Sequence, residues 1–157
     1  MFEAQIKTTE PQTVAFKVMR GAYDQTPQGY GELYGWVERY GLQPVGMPAA
    51  IYLTMPDVTP MEAAEWELWA PIAGGAGEVA RDEEGFGVKR LEAETVASTM
   101  HKGPYDEVAP AYAELGKWIS EEGYQVVGPP REIYYSDPEI VPPSEYLTEI
   151  QIPVAKT

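Results

Sequence analysis

The stretch TVAFKVMRGAYDQTPQGYGELYGWVERYGLQPVGMPAAIY (13–52) is restated 82 residues later as TVASTMHKGPYDEVAPAYAELGKWISEEGYQVVGPPREIY (95–134). The correspondence runs without a gap from 13–72 onto 95–154, and 21 of those 60 positions are identical. The identities include Gly21 and Gly103, Tyr30 and Tyr112, Leu33 and Leu115, Trp36 and Trp118, and Ile51-Tyr52 and Ile133-Tyr134. Beyond the quoted stretch, Glu67 matches Glu149 and Pro71 matches Pro153. Two copies of one long supersecondary unit make a duplicated domain rather than a solenoid, which needs at least three shorter repeats. The expected organisation is a single domain over 1–157: repeat one at about 1–72, a Gly- and charge-rich linker at 73–85, and repeat two at 86–157.

Each copy reads as strand, helix, then two strands. Val14, Phe16 and Val18 alternate with Ala15, Lys17 and Met19, the period-two pattern of a half-buried strand; Thr95–His101 is its counterpart. Asp24 and Asp106 are expected as helix N-caps, with Pro27 and Pro110 in the first turn, where proline costs least. Apolar residues at Tyr30, Leu33, Val37 and at Tyr112, Leu115, Ile119 make one helical stripe per copy. Gly41 and Gly123 then stand where a left-handed residue ends a helix. Short strands are expected at Ala50–Leu53 and Glu132–Tyr135, and closing strands at Glu67–Ile72 and Glu149–Val154, with an added N-terminal strand near Phe2–Lys7. The fold class is therefore α+β. Tandem β-α-β-β units form a pseudo-twofold antiparallel sheet, with helices on one face and a central ligand groove on the other.

Composition narrows the chemistry. There is no cysteine and one histidine, His101, so thiolate chemistry, disulfides and multi-His metal sites are excluded. No cofactor or metal is expected. The 25 acidic and 11 basic residues give a net charge of −14, which repels nucleic acid and attracts cations or a basic protein. No apolar run approaches the roughly 20 residues of a membrane span, and no signal pattern opens the chain, so a cytoplasmic location is expected.

Alternation within the strands sorts residues onto faces. With Ile133, Ile150 and Ile152 under the helices, Glu132, Tyr134, Glu149 and Gln151 fall on the open face. Repeat one adds Glu67, Trp69 and Tyr52, and the first strands add Met19 and His101. Carboxylates beside aromatic rings suit a flat lipophilic cation. These nine residues are the candidate ligand contacts. Trp36 and Trp118 are expected in the core, and Tyr23 and Tyr105 are expected to be structural.

The runs His101-Lys102-Gly103-Pro104-Tyr105-Asp106 and Glu132-Ile133-Tyr134-Tyr135-Ser136-Asp137-Pro138, with the closing Leu147–Val154, resemble the GyrI-like small-molecule-binding domain. This is the effector-binding domain of AraC- and MerR-type transcription activators. The resemblance implies paired β-α-β-β units and, in drug-sensing members, a buried acid ringed by aromatics that binds lipophilic cations. It places Glu149 at a recurrent acidic position, where Gln151 replaces the aromatic that often follows. Three functions remain as alternatives: a stand-alone binder of hydrophobic or cationic small molecules, alone or reporting to a regulatory protein; a hydrolase of cyclopropanoid DNA-alkylating natural products using Glu149 and Tyr134; or a modulator of DNA gyrase.

Overall fold

A computed structural model describes residues 3–22, 25–54, 64–74, 77–136 and 140–157, the side chain at 106 excepted. Among these, the elements in chain order are β1 (Ala4–Thr8), β2 (Gln12–Arg20), α1 (Thr26–Arg39), β3 (Ala49–Tyr52), β4 (Glu65–Ile72), β5 (Phe86–Leu91), β6 (Thr95–Lys102), α2 (Ala109–Glu121), β7 (Tyr124–Val126), β8 (Arg131–Tyr134) and β9 (Leu147–Lys156). The α+β reading holds, with antiparallel pairing in each strand pair within the two halves. Two strands, β5 and β7, go beyond those read from the sequence.

The chain forms two compact units, Met1–Glu10 with Ala93–Thr157 (unit one) and Pro11–Glu92 (unit two). In unit one the strand order is β1-β6-β9-β8, with β7 pairing the end of β9; in unit two it is β3-β4-β2-β5. The 82-residue offset reaches further back than the first alignment: β1 matches β5, and Lys7 and Glu10 match Lys89 and Glu92. The two leading strands are exchanged. β1, which precedes β2, pairs with β6, whereas β5, which precedes β6, pairs with β2.

The helices form where the apolar stripes require. Leu33 and Val37 of α1, and Leu115 and Ile119 of α2, are buried, each worth roughly 1.5–3 kcal/mol of transfer free energy. Pro27 and Pro110 occupy the first turns, and Gly41 and Gly123 have φ of 68° and 83°, the left-handed C′ conformation. Neither expected N-cap is seen as such. Residue 24 lies outside the described residues, and Asp106 falls within a 3-10 turn, Tyr105–Glu107, ahead of the actual cap at Val108. Gly29 has a packing reason: a Cβ there would stand 2.8 Å from Leu68 Cδ1 and Met19 Sδ. That contact fixes which face of the unit-two sheet α1 covers.

Register corrects the expected faces. Ile133 pairs with Glu149, Glu132 with Ile150, and Tyr134 with Thr148. Glu132 and Tyr134 therefore lie on the face of Ile150 and Ile152, which pack with Leu115 and Ile119 of α2, and not on the face of Glu149 and Gln151. His101, opposite Thr148, joins them. Unit two repeats the pattern: Ile51 pairs with Glu67, Tyr52 with Trp66, and Met19 with Trp66. Met19 and Tyr52 share the α1 face, and Glu67 and Trp69 the other. Alternation was right within each strand. The alignment of the short strand and of the first strand against the closing strand, a non-local property, was one residue out.

Candidate functional site

The helix-side face of unit one gathers three of the expected residues, Glu132, Tyr134 and His101, around a partner on the helix. Glu132, on β8, is only 8% exposed. Tyr112, in the first turns of α2, donates its hydroxyl to Glu132 Oε2 at 2.6 Å, and Tyr134 donates to Oε1 at 2.9 Å. Burial raises the Glu132 pKa above its ordinary value, opposed by the two tyrosine hydrogen bonds and by His101. Among the described residues no Lys, Arg or His is ion-paired with it. A desolvated carboxylate held by neutral donors alone keeps much of its capacity to attract a cation.

Aromatic rings continue outward from this acid. Tyr134 meets Tyr105 edge-on at 5.3 Å between centroids, and Tyr105 stacks on Tyr146 at 4.8 Å. Tyr105 is 38% exposed, so the row runs from a buried carboxylate to solvent. His101 Nε2 bonds the Pro104 carbonyl oxygen at 3.0 Å. Thr148, in the same cross-strand row as His101 and Tyr134, is buried, and its hydroxyl has no hydrogen-bond partner among the described residues. The segment at 137–139, next to this row in sequence, lies outside the described residues, as does the counterpart tyrosine at 23.

Glu149 is in a different state. It is 4% exposed on the opposite face and is held by four groups of the protein. Ser98 donates at 2.7 Å, Tyr135 at 2.7 Å, Gln151 at 3.0 Å, and Lys7 Nζ lies 2.5 Å away. Burial would raise its pKa, but the bonds from Gln151, Lys7, Ser98 and Tyr135 outweigh it and bring it to about 2. Tyr135 is pushed up to about 12 by burial and by its bond to this carboxylate. The hydrolase pair Glu149 and Tyr134 does not meet, since the Tyr134 hydroxyl serves Glu132.

Unit two keeps the far-face ion pair and loses the helix-side acid. Lys89 pairs with Glu67, which also accepts the Trp69 indole N–H at 2.7 Å. At the position of Glu132 stands Ala50, fully buried, and the Tyr30 hydroxyl, the counterpart of Tyr112, donates instead to the Ala49 carbonyl. The position equivalent to Glu132 thus carries no carboxylate in unit two.

Sequence reasoning missed Lys7 and Lys89, and it read Tyr112 only as part of an apolar stripe. Extending the 82-residue offset toward the N-terminus exposes the repeated lysines. No group of three or more metal-ligating side chains occurs among the described residues, and no helix there is long and apolar enough to cross a membrane.

A model of the GyrI-like small molecule binding domain matches residues 2–155, and the chain belongs to that family. No curated protein matches it. The fold is similar to that of EcmrR. In an EcmrR–DNA complex the TM-score is 0.84 at 23% identity over 99% of this chain, which spans 58% of the EcmrR chain. The isolated EcmrR C-terminal domain gives 0.78 at 22% identity, covering 100% of this chain and 99% of that one. A hydrolase from Listeria innocua gives 0.74 at 17% identity, covering 98% and 92%. SAV2435 bound to tetraphenylphosphonium gives 0.57 at 15% identity, covering 98% and 94%. At these identities the likeness is one of fold.

Proposed function

We propose that this GyrI-like small-molecule-binding domain takes lipophilic aromatic cations at the helix-side face of unit one, with Glu132 as the charge partner. The observation that carries the reading is a buried carboxylate held by two neutral tyrosines instead of a lysine or arginine, at the inner end of a row of rings. A cation entering there neutralises a desolvated charge and stacks its flat groups on Tyr134, Tyr105 and Tyr146. The acidic surface raises the local concentration of such ligands. That SAV2435, of the same fold, is bound to tetraphenylphosphonium supports this class of ligand.

Calorimetric titration of tetraphenylphosphonium into the wild type and Glu132→Gln tests it. Loss of the charge should weaken binding about tenfold or more, whereas Glu149→Gln should change it little. Equal affinity in wild type and Glu132→Gln would overturn the reading. Because the cation favours the ionised acid, binding should release protons and tighten as pH rises through the raised Glu132 pKa.

A second reading, hydrolysis of a strained electrophilic ring, has one observation in its favour. A buried carboxyl group with a raised pKa, flanked by two hydroxyl donors, is equipped to act as a general acid or base. The Listeria innocua relative described as a hydrolase has the same fold. Consumption of a cyclopropane-bearing compound by the wild type and not by Glu132→Gln supports it. Binding without turnover leaves the domain a receptor.

A further inference from the structure

We infer that unit one carries a second small-molecule site on the face away from α2, fitted to a neutral, electron-rich planar heteroaromatic with an N–H donor, of the indole kind. Unit two shows the occupied form of this place, filled by the protein's own rings. There the Lys89 ammonium, paired with Glu67, lies 4.8 Å from the centroid of Phe16 and 5.8 Å from that of Trp69. The Trp69 indole N–H donates to Glu67 Oε1 at 2.7 Å. Both rings are buried.

Unit one retains the ion pair and lacks the rings. At the position of Phe16 stands Ser98, and at that of Trp69 stands Gln151; the register is the same, Phe16 opposite Trp69 and Ser98 opposite Gln151. An open cavity of about 450 Å³ lies beside the ion pair, lined by Gln5, Lys7, Ser98, Met100 and Glu149 among others, within the size range of small-ligand sites.

The chemistry of the lining specifies the guest. Lys7, paired with Glu149 and still 36% exposed, offers a cation to the face of an electron-rich ring, as Lys89 does to Phe16. Met100, half-exposed and opposite Glu149 in the register, offers a thioether to a ring edge. Three of the four groups bonded to Glu149 reach Oε2, and Oε1 accepts only the Tyr135 hydroxyl among the described residues. Gln151 already makes to Oε2 the bond that Trp69 N–H makes to Glu67 in unit two; a carboxylate oxygen has two lone pairs, so Oε1 has room for one more donor beside Tyr135. A neutral guest is favoured because Lys7 and Glu149 already balance each other, while Lys7 opposes a cation and Glu3, on the lining, opposes an anion.

This site is separate from the Glu132 site, which lies on the other face of the same sheet, and the two are tested apart. Indole is titrated into the full chain and followed by calorimetry and by amide chemical shifts. Saturable shifts centred on Gln5, Lys7, Ser98 and Met100 are expected. The double variant Ser98→Phe/Gln151→Trp, which transplants the rings of unit two, should weaken indole about tenfold or more while tetraphenylphosphonium binding persists; Glu132→Gln should leave indole unaffected. Shifts that bypass those four residues, no binding up to the solubility of indole, or unchanged affinity in the double variant would each overturn the proposal. If the double variant does not fold, the wild-type shift map and Ser98→Phe alone decide.

Discussion

Where unit one buries Glu132 under two tyrosine hydroxyls, unit two buries the methyl group of Ala50 at the same point of the same scaffold. Tyr30 and Tyr112 are equivalent, as are Tyr52 and Tyr134, so the tyrosine frame is common to both and the acid is not. On the opposite face the relation is inverted. Both units keep a Lys–Glu pair, but unit two covers it with Phe16 and Trp69 while unit one surrounds it with Ser98 and Gln151. A repeated residue marks what the scaffold needs, and a residue present in one copy alone marks what a site needs. By that measure Glu149 and Glu67 belong to the scaffold, and Glu132 is the residue we propose for recognition.

The sharpest way to break this division is to remove the shared acids. Glu149→Ala strands Lys7, Ser98, Gln151 and Tyr135, and should cost about 3–5 kcal/mol in urea unfolding. Glu67→Ala strands Lys89 and the Trp69 N–H and should cost less. A Glu149→Ala protein of wild-type stability would remove Glu149 from the scaffold. Next in size is the transplant Ala50→Glu, which places a carboxylate in a fully buried position between Tyr30 and Tyr52. It should lower stability by roughly 2–4 kcal/mol, and its protein should take up a second equivalent of tetraphenylphosphonium. Retention of a single equivalent would mean that the tyrosine frame and an acid do not suffice.

Acid titration separates the two glutamates of unit one by sign. Glu149 is held at about 2 against an ordinary 4.5. Its contribution, on the order of 2–3 kcal/mol, is complete above pH 4.5 and lost as pH falls from there toward 2. Glu132 is shifted the other way, so its contribution is largest when protonated and declines as pH rises above 4.5. Unfolding free energies between pH 7 and 3 should therefore fall less steeply in Glu149→Gln than in the wild type. The same slope in both would contradict the assignment.

Much of the fold was legible because its signals are local. The duplication, the apolar stripes through Leu33 and Leu115, the prolines of the first turns and the C′ glycines are each read within one stretch of chain. The faces were not, because period two orders the residues of one strand without saying which residue of the next strand lies alongside. That single step moved Glu132, Tyr134, Tyr52, Met19 and His101 from the face of Glu149 and Glu67 to the helix side. β5 was missed because Phe86-Gly87-Val88 follows a glycine-rich stretch and lacks a clean alternation. Its glycine has a reason visible only in three dimensions: a Cβ at Gly87 would stand 2.6 Å from the Phe16 ring.

The exchanged leading strands bear on how the chain is made. Unit two, Pro11–Glu92, is continuous and can close as soon as it is synthesised. Unit one must join β1, which precedes unit two, to β6, with Glu3 and Thr99 bonded 96 positions apart. The residues of β1 therefore wait for a partner strand that arrives after the whole of unit two. Loss of β1 would be felt in unit one, where Lys7 answers Glu149, while unit two folds undisturbed.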